Sequence, residues 1–515
     1  MISLFNNLKA QSSKLVSKAN LTTKRTFYQT SKCLESAQSI LKENISKPNL
    51  SKNVNSFPST IDIDSRTKLT TLENGLRIVS DSTPGHFSAF GVYVDAGSRY
   101  ETKQYSGISH FVDRISFKST QSSTSEEIQT QLERLGGNIM SHSSREVMLL
   151  QGTVYNQDLE NIVPLFADII QKPTLLPHEL DEQRIAIGYE VSDIMSNPET
   201  YLPEQLHTAA YHDNTLGNTL LCTPDRVGSI SPQMIKDYRQ ALYTPERIVI
   251  ASMGQQHEKV VELVERNFDI LTKQTNSKQS SFVPDLSQSK YTGGALFTPD
   301  PQAEFTQVYV AVEGVGINDP DLYPLATLQM LLGGGGSFSA GGPGKGMHSR
   351  LYRTVLNQYA WAHSFLAFNH SYKDSGLFGI SAACPPRFNS DMLHVIAYSL
   401  ASVAYPNQIS PIELSRAKNQ LKNNMMMSLE SRLVGLEDLG QQILCTNKRV
   451  SVEEVCRRVD EVQLQDITRV ASKLLLSPET KITLVGQGHY DGIEKTSEIF
   501  KKFGIGNGES LPRYD

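Results

Sequence analysis

The sequence predicts an α+β protein in which one structural unit of about 220 residues occurs twice. Three pairs of similar segments support the duplication, because they follow one another in the same order in both halves. A single match could arise by chance, whereas several matches in order indicate an internal repeat. The segments 90–97, 177–180 and 244–246 match 308–315, 411–414 and 477–479.

The first half alternates between strand patterns and helix patterns. Asn74-Gly75 is a hairpin signal between two apolar runs. The segment 123–126 is typical of a helix start, and Gly136-Gly137 is typical of a helix end. We expect strands over 76–79, 89–94 and 147–154, and helices from about 106 and over 125–135, 156–171, 178–195 and 231–242.

The composition excludes several classes of protein. Of the 515 residues, 39% are hydrophobic and 20% are charged, which is ordinary globular usage and excludes wholesale disorder, collagen and coiled coil. No stretch approaches 18 uninterrupted apolar residues, so a spanning helix is not expected. The formal net charge of −5 argues against a dedicated nucleic-acid binder. Five scattered cysteines without a CxxC pair argue against a disulfide scaffold or a cysteine zinc site.

Residues 1–34 have the composition of a mitochondrial transit peptide, because they are basic, rich in serine and free of Asp and Glu. Removing them would shift the formal net charge from −5 to −11, and an acidic body attracts basic partners. The alternative is a disordered basic tail that binds nothing. The six basic residues are Lys9, Lys14, Lys18, Lys24, Arg25 and Lys32, and one apolar helical face could be formed by Ile2, Leu4, Phe5 and Leu8.

One predicted helix carries residues at the spacing of a zinc site. In His110-Phe111-Val112-Asp113-Arg114, positions 110, 113 and 114 share one helical face. Zinc peptidases use H-x-x-E-H, in which two imidazoles hold the ion and the carboxylate takes a proton from bound water. Here Asp113 is a shorter carboxylate, and Arg114 is a permanent cation without a lone pair to donate. A guanidinium in the second ligand position would repel a divalent cation.

This motif resembles that of the pitrilysin-type (M16, inverted zincin) peptidases, whose pattern continues with a glutamate ligand about 76 residues later. Counted from Arg114, that position is Glu190. The resemblance implies the pitrilysin/LuxS-like metallohydrolase fold, with two homologous half-domains that are each a mainly antiparallel sheet packed with helices. It also implies that His110, Asp113, Arg114 and Glu190 form a degenerate metal site. We therefore expect a chain that binds no metal or other cofactor and is inactive by itself.

We expect the side chains of Arg114 and Glu190 to form an ion pair in place of the missing ion. The alternative is that both face solvent separately, because surface pairs are common and weak.

A glycine-rich run follows a predicted helix that has Leu328, Leu331 and Leu332 where the first half has its metal motif. Glycine costs backbone entropy when ordered, so such a run is typical of a mobile segment or of close backbone contact. It does not match the phosphate loop G-x-x-x-x-G-K-[ST], because Lys345 is followed by Gly346. A plain surface linker is the other alternative. The run comprises Gly333, Gly334, Gly335, Gly336, Ser337, Phe338, Ser339, Ala340, Gly341, Gly342, Pro343, Gly344, Lys345 and Gly346.

Together with the segment 349–352, this run resembles the glycine-rich loop of one subgroup of the same family. Members of that subgroup are non-catalytic subunits that recognise presequences and hand them to a zinc-bearing β subunit. The resemblance implies that the loop contacts and moves substrate, and that Glu413, Glu437 and Asp438 bind substrate arginines. A carboxylate can accept a guanidinium in a bidentate manner. From the sequence alone, each of these acids is more simply part of a solvated helix face.

We therefore expect a substrate-recognition subunit of a heterodimeric processing peptidase in the mitochondrial matrix. Its partners would be the zinc-bearing β subunit and the basic presequences of imported precursors, and not nucleic acid. One alternative is a structural core subunit of the cytochrome bc1 complex, which belongs to the same structural family and would associate the chain with the inner membrane. The other is a stand-alone peptidase that uses His110 and Glu190.

The expected domain organisation follows from the repeat and from the composition of the segment between its copies. We expect a presequence and flexible lead over 1–50, a first domain with the degenerate motif over 51–271, and a second domain with the glycine-rich loop over 295–515. A linker rich in Ser, Gln, Lys and Gly separates them over 272–294.

Overall fold

The computed structural model describes residues 66–269, 271, 280–337, 346–506, 508 and 511–514. The expected presequence, the first part of the expected linker and the centre of the glycine-rich run lie outside these residues. Within the described part of the chain, no helix is both long enough and apolar enough to cross a membrane.

Two six-stranded mixed sheets form the centres of the two halves, and the α+β prediction is confirmed. The first sheet contains β1 (Thr67–Thr71), β2 (Arg77–Asp81), β3 (Phe87–Val94), β4 (Asn138–Ser143), β5 (Met148–Tyr155) and β6 (Ile248–Met253). The second contains β7 (Gly294–Pro299), β8 (Thr306–Glu313), β9 (Gly334–Gly336), β10 (Ser364–Ser371), β11 (Gly376–Cys384) and β12 (Thr483–Gly488).

The helices of the first half include all those that the sequence predicts. They are α1 (Ile108–Arg114), α2 (Ser125–Leu135), α3 (Leu159–Gln171), α4 (Pro177–Ser196), α5 (Pro198–Ala210), α6 (Pro224–Val227), α7 (Pro232–Leu242) and α8 (His257–Asn267). The second half has α9 (Leu322–Leu332), α10 (Asn389–Ala404), α11 (Pro411–Leu429), α12 (Arg432–Thr446), α13 (Val452–Glu461), α14 (Leu464–Leu475) and α15 (Thr496–Lys502).

The strand orders show the duplication directly. The first sheet runs β1-β2-β6-β3-β5-β4 and the second runs β7-β12-β8-β11-β10-β9. In each sheet one pair is parallel, β2 with β6 and β7 with β12, and the other described pairs are antiparallel. When these parallel pairs are superimposed, β3 corresponds to β8, as the sequence match of 90–97 with 308–315 predicts. The edge strand β1 in the first sheet and β9 in the second then have no counterpart.

Each sheet is apolar on both faces, and its second face is covered by a helix from the other half. Along β3, Phe90 and Val92 join the core under the helices of the first half, whereas Ala89 and Tyr93 face α12 of the second half. The same alternation occurs along β8. Tyr309 and apolar side chains of the adjacent strands face α5 of the first half. The two halves therefore exchange one helix each, and burial of these apolar faces holds them together.

Buried charges add to the contact between the halves. The guanidinium of Arg99 donates to Glu146 of the first half and to Asp374, which lies in the turn between β10 and β11. The neighbouring Lys373 donates its side-chain amine to Asp95 and its backbone N–H to Glu146. Breaking a buried, hydrogen-bonded pair of this kind costs about 3–5 kcal/mol, because a charge is left without its partner.

The described part of the expected linker, 280–294, packs on both halves. Phe282 is buried against the rings of Tyr105 and Tyr238, with centroids 4.6 and 5.5 Å away. The hydroxyl of Tyr291 donates to the carbonyl oxygen of Ala311, at 3.1 Å. The domain boundaries around this segment stay predictions.

The close approach of α12 to the first sheet predicts that Gly440→Ala destabilises the protein. A Cβ at Gly440 would lie 2.4 Å from ring carbons of Tyr93, which is fully buried. Overpacking of this kind costs about 1–3 kcal/mol, so we expect a lower melting temperature in circular dichroism.

Gly435→Ala on the same helix is the matched control for that substitution. Its Cβ would meet the flexible end of Met253 at 3.3 Å and the carbonyl oxygen of Leu429 at an ordinary 3.9 Å, and alanine gains up to about 1 kcal/mol in helix propensity. Equal melting temperatures for the two variants would contradict the tight packing of α12.

Candidate functional site

The helix α1, which carries the degenerate motif, is held at its start by a buried carboxylate. Glu101 accepts hydrogen bonds from the backbone N–H groups of Gly107 and Ser109, at 2.7 and 2.8 Å. Burial raises the pKa of Glu101 to about 7. A carboxylate at this place satisfies N–H groups that have no partner within the helix. The start of α1 is thus fixed before the motif begins.

His110 has a hydrogen-bond environment unlike that of a metal ligand. Its Nδ1 accepts the backbone N–H of Cys222 at 3.1 Å, so in the neutral ring the proton lies on Nε2. Nε2 is 3.4 Å from Oε2 of Glu190 and 3.4 Å from Nε of Arg114. Because a protonated Nε2 can only donate, its partner is the carboxylate of Glu190.

The expected ion pair between Arg114 and Glu190 is present in the structure. Nη2 of Arg114 donates to Oε1 of Glu190, and both side chains are partly exposed. The hydrogen bond from His110, followed by the charge of Arg114, lowers the pKa of Glu190. The two ends of the motif, 76 residues apart, are therefore joined by a guanidinium.

The carboxylate of Asp113 is held by the neighbouring strand. It accepts a hydrogen bond from the hydroxyl of Ser141 on β4, and this hydroxyl is also 3.1 Å from that of Ser116. Asp113 is only 7% exposed. Its carboxylate therefore points into a fixed hydroxyl contact, whereas a general base must reach the proton that it removes.

These residues do not fit a zinc ion. A zinc-bound histidine normally donates its other ring N–H to an acceptor, but Nδ1 of His110 itself accepts an N–H. Arg114 holds the second ligand position and neutralises Glu190. Among the described residues, no three His, Cys, Asp or Glu side chains form a group that could hold a metal ion.

The two stems of the glycine-rich run are joined to each other and to the second sheet. Gly334–Gly336 form the edge strand β9 against β10, and the N–H of Gly334 donates to the hydroxyl of Ser349 at 3.1 Å. Gly334 has a φ of +102°, and a Cβ there would lie 2.0 Å from the carbonyl oxygen of Phe365. Glycine is therefore required where the run enters the sheet, and residues 338–345 lie outside the described chain.

The three predicted substrate-binding acids differ in their surroundings. Glu413 forms a capping box with Ser410 and an ion pair with Arg350, and these contacts lower its pKa although burial acts to raise it. Asp438 is 2% exposed and pairs with Arg449 at 3.0 Å. Both acids thus have internal cationic partners.

Glu437 has amide partners instead. Its carboxylate accepts from Gln151 of β5 at 3.4 Å and from Gln441 at 3.1 Å. Burial raises its pKa, and among the described residues no Lys, Arg or His forms an ion pair with it. Of the three acids, it is the one without an ion-pair partner among the described residues, although the charge of His142 on β4 acts to lower its pKa.

An exposed apolar strip lies on the same face of the first sheet as Glu437. Met140 pairs with Gln151 across β4 and β5, and Tyr155 lies four residues beyond Gln151, so all three side chains point to the α12 side. The rings of Phe87 and Tyr155 stack at 4.9 Å. Met140, Phe87 and Tyr155 are 37%, 46% and 53% exposed. We call these residues, with Glu437 and Gln151, the Glu437 face.

Sequence reasoning missed the Glu437 face and the contacts of Cys222 and Ser141 with the motif. The alternation along β5 could have indicated that Gln151 and Tyr155 share a face. Nothing in the sequence indicates that α12 of the other half covers that sheet, or that the backbone of Cys222 reaches His110.

The ion pair predicts a pH-dependent effect of Arg114→Met. At pH 7 the variant should lose less than about 1 kcal/mol of unfolding free energy, because the pair is partly exposed. The pKa of Glu190 is lower in the folded chain than the ordinary value of about 4.3. The stabilisation is therefore present above that value and is lost as the pH falls through the folded pKa.

Urea unfolding at pH 7 and in steps towards pH 3 measures this difference. Arg114→Lys keeps the charge and should retain part of the stabilisation. Identical stability of Arg114→Met and the unchanged chain at pH 7 would contradict the contribution of the pair.

Comparison with known proteins agrees with this geometry. The family model "Insulinase (Peptidase family M16)" matches residues 77–224, and "Peptidase M16 inactive domain" matches residues 229–421. A solved structure, complex III2 from Candida albicans with Inz-5 bound, has a TM-score of 0.71 and covers 85% of this chain and 99% of its own. Its identity of 18% makes this a likeness of fold alone.

Three curated relatives are similar over most of their length. The mitochondrial-processing peptidase subunit alpha of Neurospora crassa is 41% identical, covering 80% of this chain and 83% of that protein. The probable subunit alpha of Schizosaccharomyces pombe is 40% identical, covering 92% and 96%. The subunit alpha of Homo sapiens is 37% identical, covering 79% and 80%. The chain therefore belongs to peptidase family M16, in the family of the mitochondrial-processing peptidase α subunits.

Proposed function

We propose that this chain is the substrate-recognising, non-catalytic subunit of a heterodimeric mitochondrial processing peptidase. It binds the basic presequences of imported precursors, and a zinc-bearing β subunit hydrolyses the peptide bond. The observation that carries the proposal is the Arg114–Glu190 ion pair at the second and third ligand positions of the motif. Because the ion pair occupies these two ligand positions, the site does not activate water. The chain then contributes binding and orientation of the substrate, and the partner activates the water.

The relatives support the same assignment. They are named subunits alpha of the mitochondrial-processing peptidase, and this chain covers four-fifths or more of their length. Their names support a mitochondrial location, and we propose the matrix as the compartment. A subunit α implies a partner, for which we propose the β subunit with an intact H-x-x-E-H site.

The Glu437 face suits an arginine-containing peptide with apolar residues. A guanidinium could replace the weak amide contacts of Glu437, and the charge-assisted hydrogen bonds would be stronger than neutral ones. Met140, Phe87 and Tyr155 beside it offer apolar surface. We propose that Glu437 binds a substrate arginine, and that Glu413 and Asp438 act mainly through their internal pairs.

We propose that the glycine-rich loop contacts the peptide in the cleft between the subunits. Its stems are fixed by the β9–β10 pairing and by the Gly334–Ser349 hydrogen bond. Arg350, just beyond the second stem, is held by Glu413. We propose that the run between these fixed stems contacts and moves substrate.

The likeness to a complex III structure favours a second candidate, a structural core subunit of the cytochrome bc1 complex. That likeness is one of fold at 18% identity, whereas the relatives named subunit alpha reach 41%. A purely structural subunit also has little use for a glycine-rich loop.

The proposal predicts complementation between two purified chains. This chain alone should neither bind stoichiometric zinc nor cleave a fluorogenic presequence peptide. Adding a zinc-bearing β subunit should give cleavage, and shortening residues 333–346 should reduce it strongly. Zinc and cleavage in the isolated chain would instead indicate a stand-alone peptidase, and an inactive mixture would favour the role in the bc1 complex.

The surroundings of Glu437 predict a specific loss of affinity in Glu437→Gln. A charge-assisted hydrogen bond is worth about 1.5–3 kcal/mol, so the heterodimer should bind an arginine-containing presequence peptide roughly tenfold or more weakly. Fluorescence anisotropy with a zinc-free β subunit measures this binding without cleavage.

Two controls separate this effect from a general loss of charge. Glu265→Gln removes an exposed acid from α8, which packs on α3 and β2, and should leave the affinity unchanged. A peptide with its arginines replaced by glutamine should bind both chains equally. Equal losses with both peptides would contradict the role of Glu437.

A further inference from the structure

We propose that Arg432, at the start of α12, is a positioning residue of the Glu437 face. It holds the aromatic pair of Phe87 and Tyr155 at a fixed distance from Glu437, so that the face selects peptides by the spacing between an arginine and an apolar residue. The inference rests on the proposed function, because it assigns a specificity to the same face. The occupant is an extended part of the presequence peptide.

The guanidinium of Arg432 fastens α12 of the second half to the turn before β3 of the first half. Its Nη1 donates to the carbonyl oxygen of Phe87 at 2.6 Å, and its Nη2 donates to that of Pro84 at 2.9 Å. The backbone leaves room for this group because residues 85 and 254 are glycines, where a Cβ would collide with the guanidinium. A planar fork of donors holds two acceptors in one geometry. The turn and α12 are therefore fixed to each other.

The same turn is also fixed to the end of β5. Asn156 follows Tyr155 directly, and its side-chain amide donates to the carbonyl oxygen of Gly85 at 2.7 Å. Its side-chain oxygen accepts the hydroxyl of Ser88, also at 2.7 Å. Phe87 and Tyr155 are paired across β3 and β5, with ring centroids 4.9 Å apart. The two rings thus form one surface whose position depends on that turn.

One helix determines where both ends of the face lie. Arg432 and Glu437 are five residues apart on α12, which is a rise of about 7.5 Å along the helix axis. On the sheet, Gln151 contacts Glu437 and lies four residues before Tyr155 on β5. At about 3.3 Å per residue, this separation is about 13 Å. The helix therefore sets the distance between the carboxylate and the aromatic pair.

Short side chains lie between the two ends, on the open side of α12. Thr153 lies between Gln151 and Tyr155 on the same face of β5, and it pairs with Asn138 of β4. Asn138 is exposed and Thr153 is half-buried. A peptide can therefore lie along β5 between the carboxylate and the rings.

The separation favours an extended peptide in which an arginine and an apolar residue are four positions apart. Four residues of extended chain span about 13 Å, and an even spacing places both side chains on the same side of the peptide. An α-helix would need about nine residues for the same distance. The guanidinium would meet Glu437, and the apolar side chain would cover Phe87 and Tyr155, which are 46% and 53% exposed.

The charges on α12 determine which end of the face takes the arginine. The described hydrogen bonds of Arg432 go to two neutral carbonyl oxygens, so a positive charge stays beside the aromatic pair. Glu437 supplies a negative charge at the other end, where its described partners are amides. A substrate arginine is therefore attracted to the Glu437 end and repelled from the aromatic end.

The test measures peptide selectivity by fluorescence anisotropy, in the complex with a zinc-free β subunit. The first labelled peptide has one arginine and one leucine four positions apart in an otherwise neutral, polar sequence. In the second peptide the leucine is replaced by serine, and in the third it is moved by one position. We expect the unchanged chain to bind the first peptide about tenfold more tightly than the other two, because only the first buries an apolar side chain.

Arg432→Gln should abolish this preference for the first peptide. It should keep the preference for arginine over glutamine in the peptide, because Glu437 is unchanged. A purely structural effect would weaken the binding of all peptides equally and leave the ratio of their affinities unchanged. Arg432→Lys keeps a donor for one carbonyl oxygen and should restore part of the preference. Arg134→Gln, on the exposed side of α2, is the matched control and should change nothing.

Phe87→Ala provides an independent measurement if Arg432→Gln lowers the melting temperature too far. The variant removes one ring and keeps the carbonyl oxygen that Arg432 binds, since that oxygen belongs to the backbone. It should also abolish the preference for the first peptide, while circular dichroism shows an intact fold.

The outcomes separate this inference from the proposed function. Equal affinity of the unchanged chain for the three peptides, with arginine still required, would overturn the inference and leave the recognition role intact. The unchanged ratio of affinities in both Arg432→Gln and Phe87→Ala would also overturn it. Failure of the unchanged complex to bind any arginine-containing peptide would overturn the recognition role itself.

Discussion

The architecture depends on one constraint: each sheet has two apolar faces, and the helices of its own half cover only one. Adjacent residues of β3 point alternately towards its own helices and towards α12 of the other half. The same holds for β8 and α5. An exposed apolar sheet face is costly in water, so neither half could stand alone with its second face open. The exchange of helices, with Arg99 bonded to carboxylates of both halves, makes one body from two copies of a unit.

This exchange also creates the candidate peptide site. Glu437 belongs to the second half by sequence, yet its carboxylate lies on the sheet of the first half beside Gln151. Because α12 crosses β3 and β6 more closely than the outer strands, the side chains of Met140 and Tyr155 stay exposed at its flank. The packing of α12 thus buries the apolar centre of the sheet and leaves acidic and apolar side chains accessible beside the helix.

The degenerate motif shows how a catalytic geometry can be kept while its chemistry is lost. Helix α1 and helix α4 still bring His110 and Glu190 together, but the guanidinium of Arg114 stands between two ligand positions and supplies the positive charge that a metal ion would supply. The hydrogen bond from Cys222 then fixes the histidine ring in a tautomer unsuited to metal. The site keeps its structural role at the junction of two helices, since the ion pair satisfies the carboxylate of Glu190.

The sequence by itself determined the fold class, the repeat and most elements, because periodicity and turn residues are local signals. It indicated the Arg114–Glu190 pair only through the resemblance to the M16 motif, whose glutamate ligand comes about 76 residues later. Tertiary structure decided which acids are paired. Glu413 pairs with Arg350, 63 residues before it, and Asp438 pairs with Arg449, beyond the end of its own helix, whereas no residue that the structure describes forms an ion pair with Glu437. Long-range pairing of this kind depends on how helices cross sheets, and no pattern within one segment encodes it.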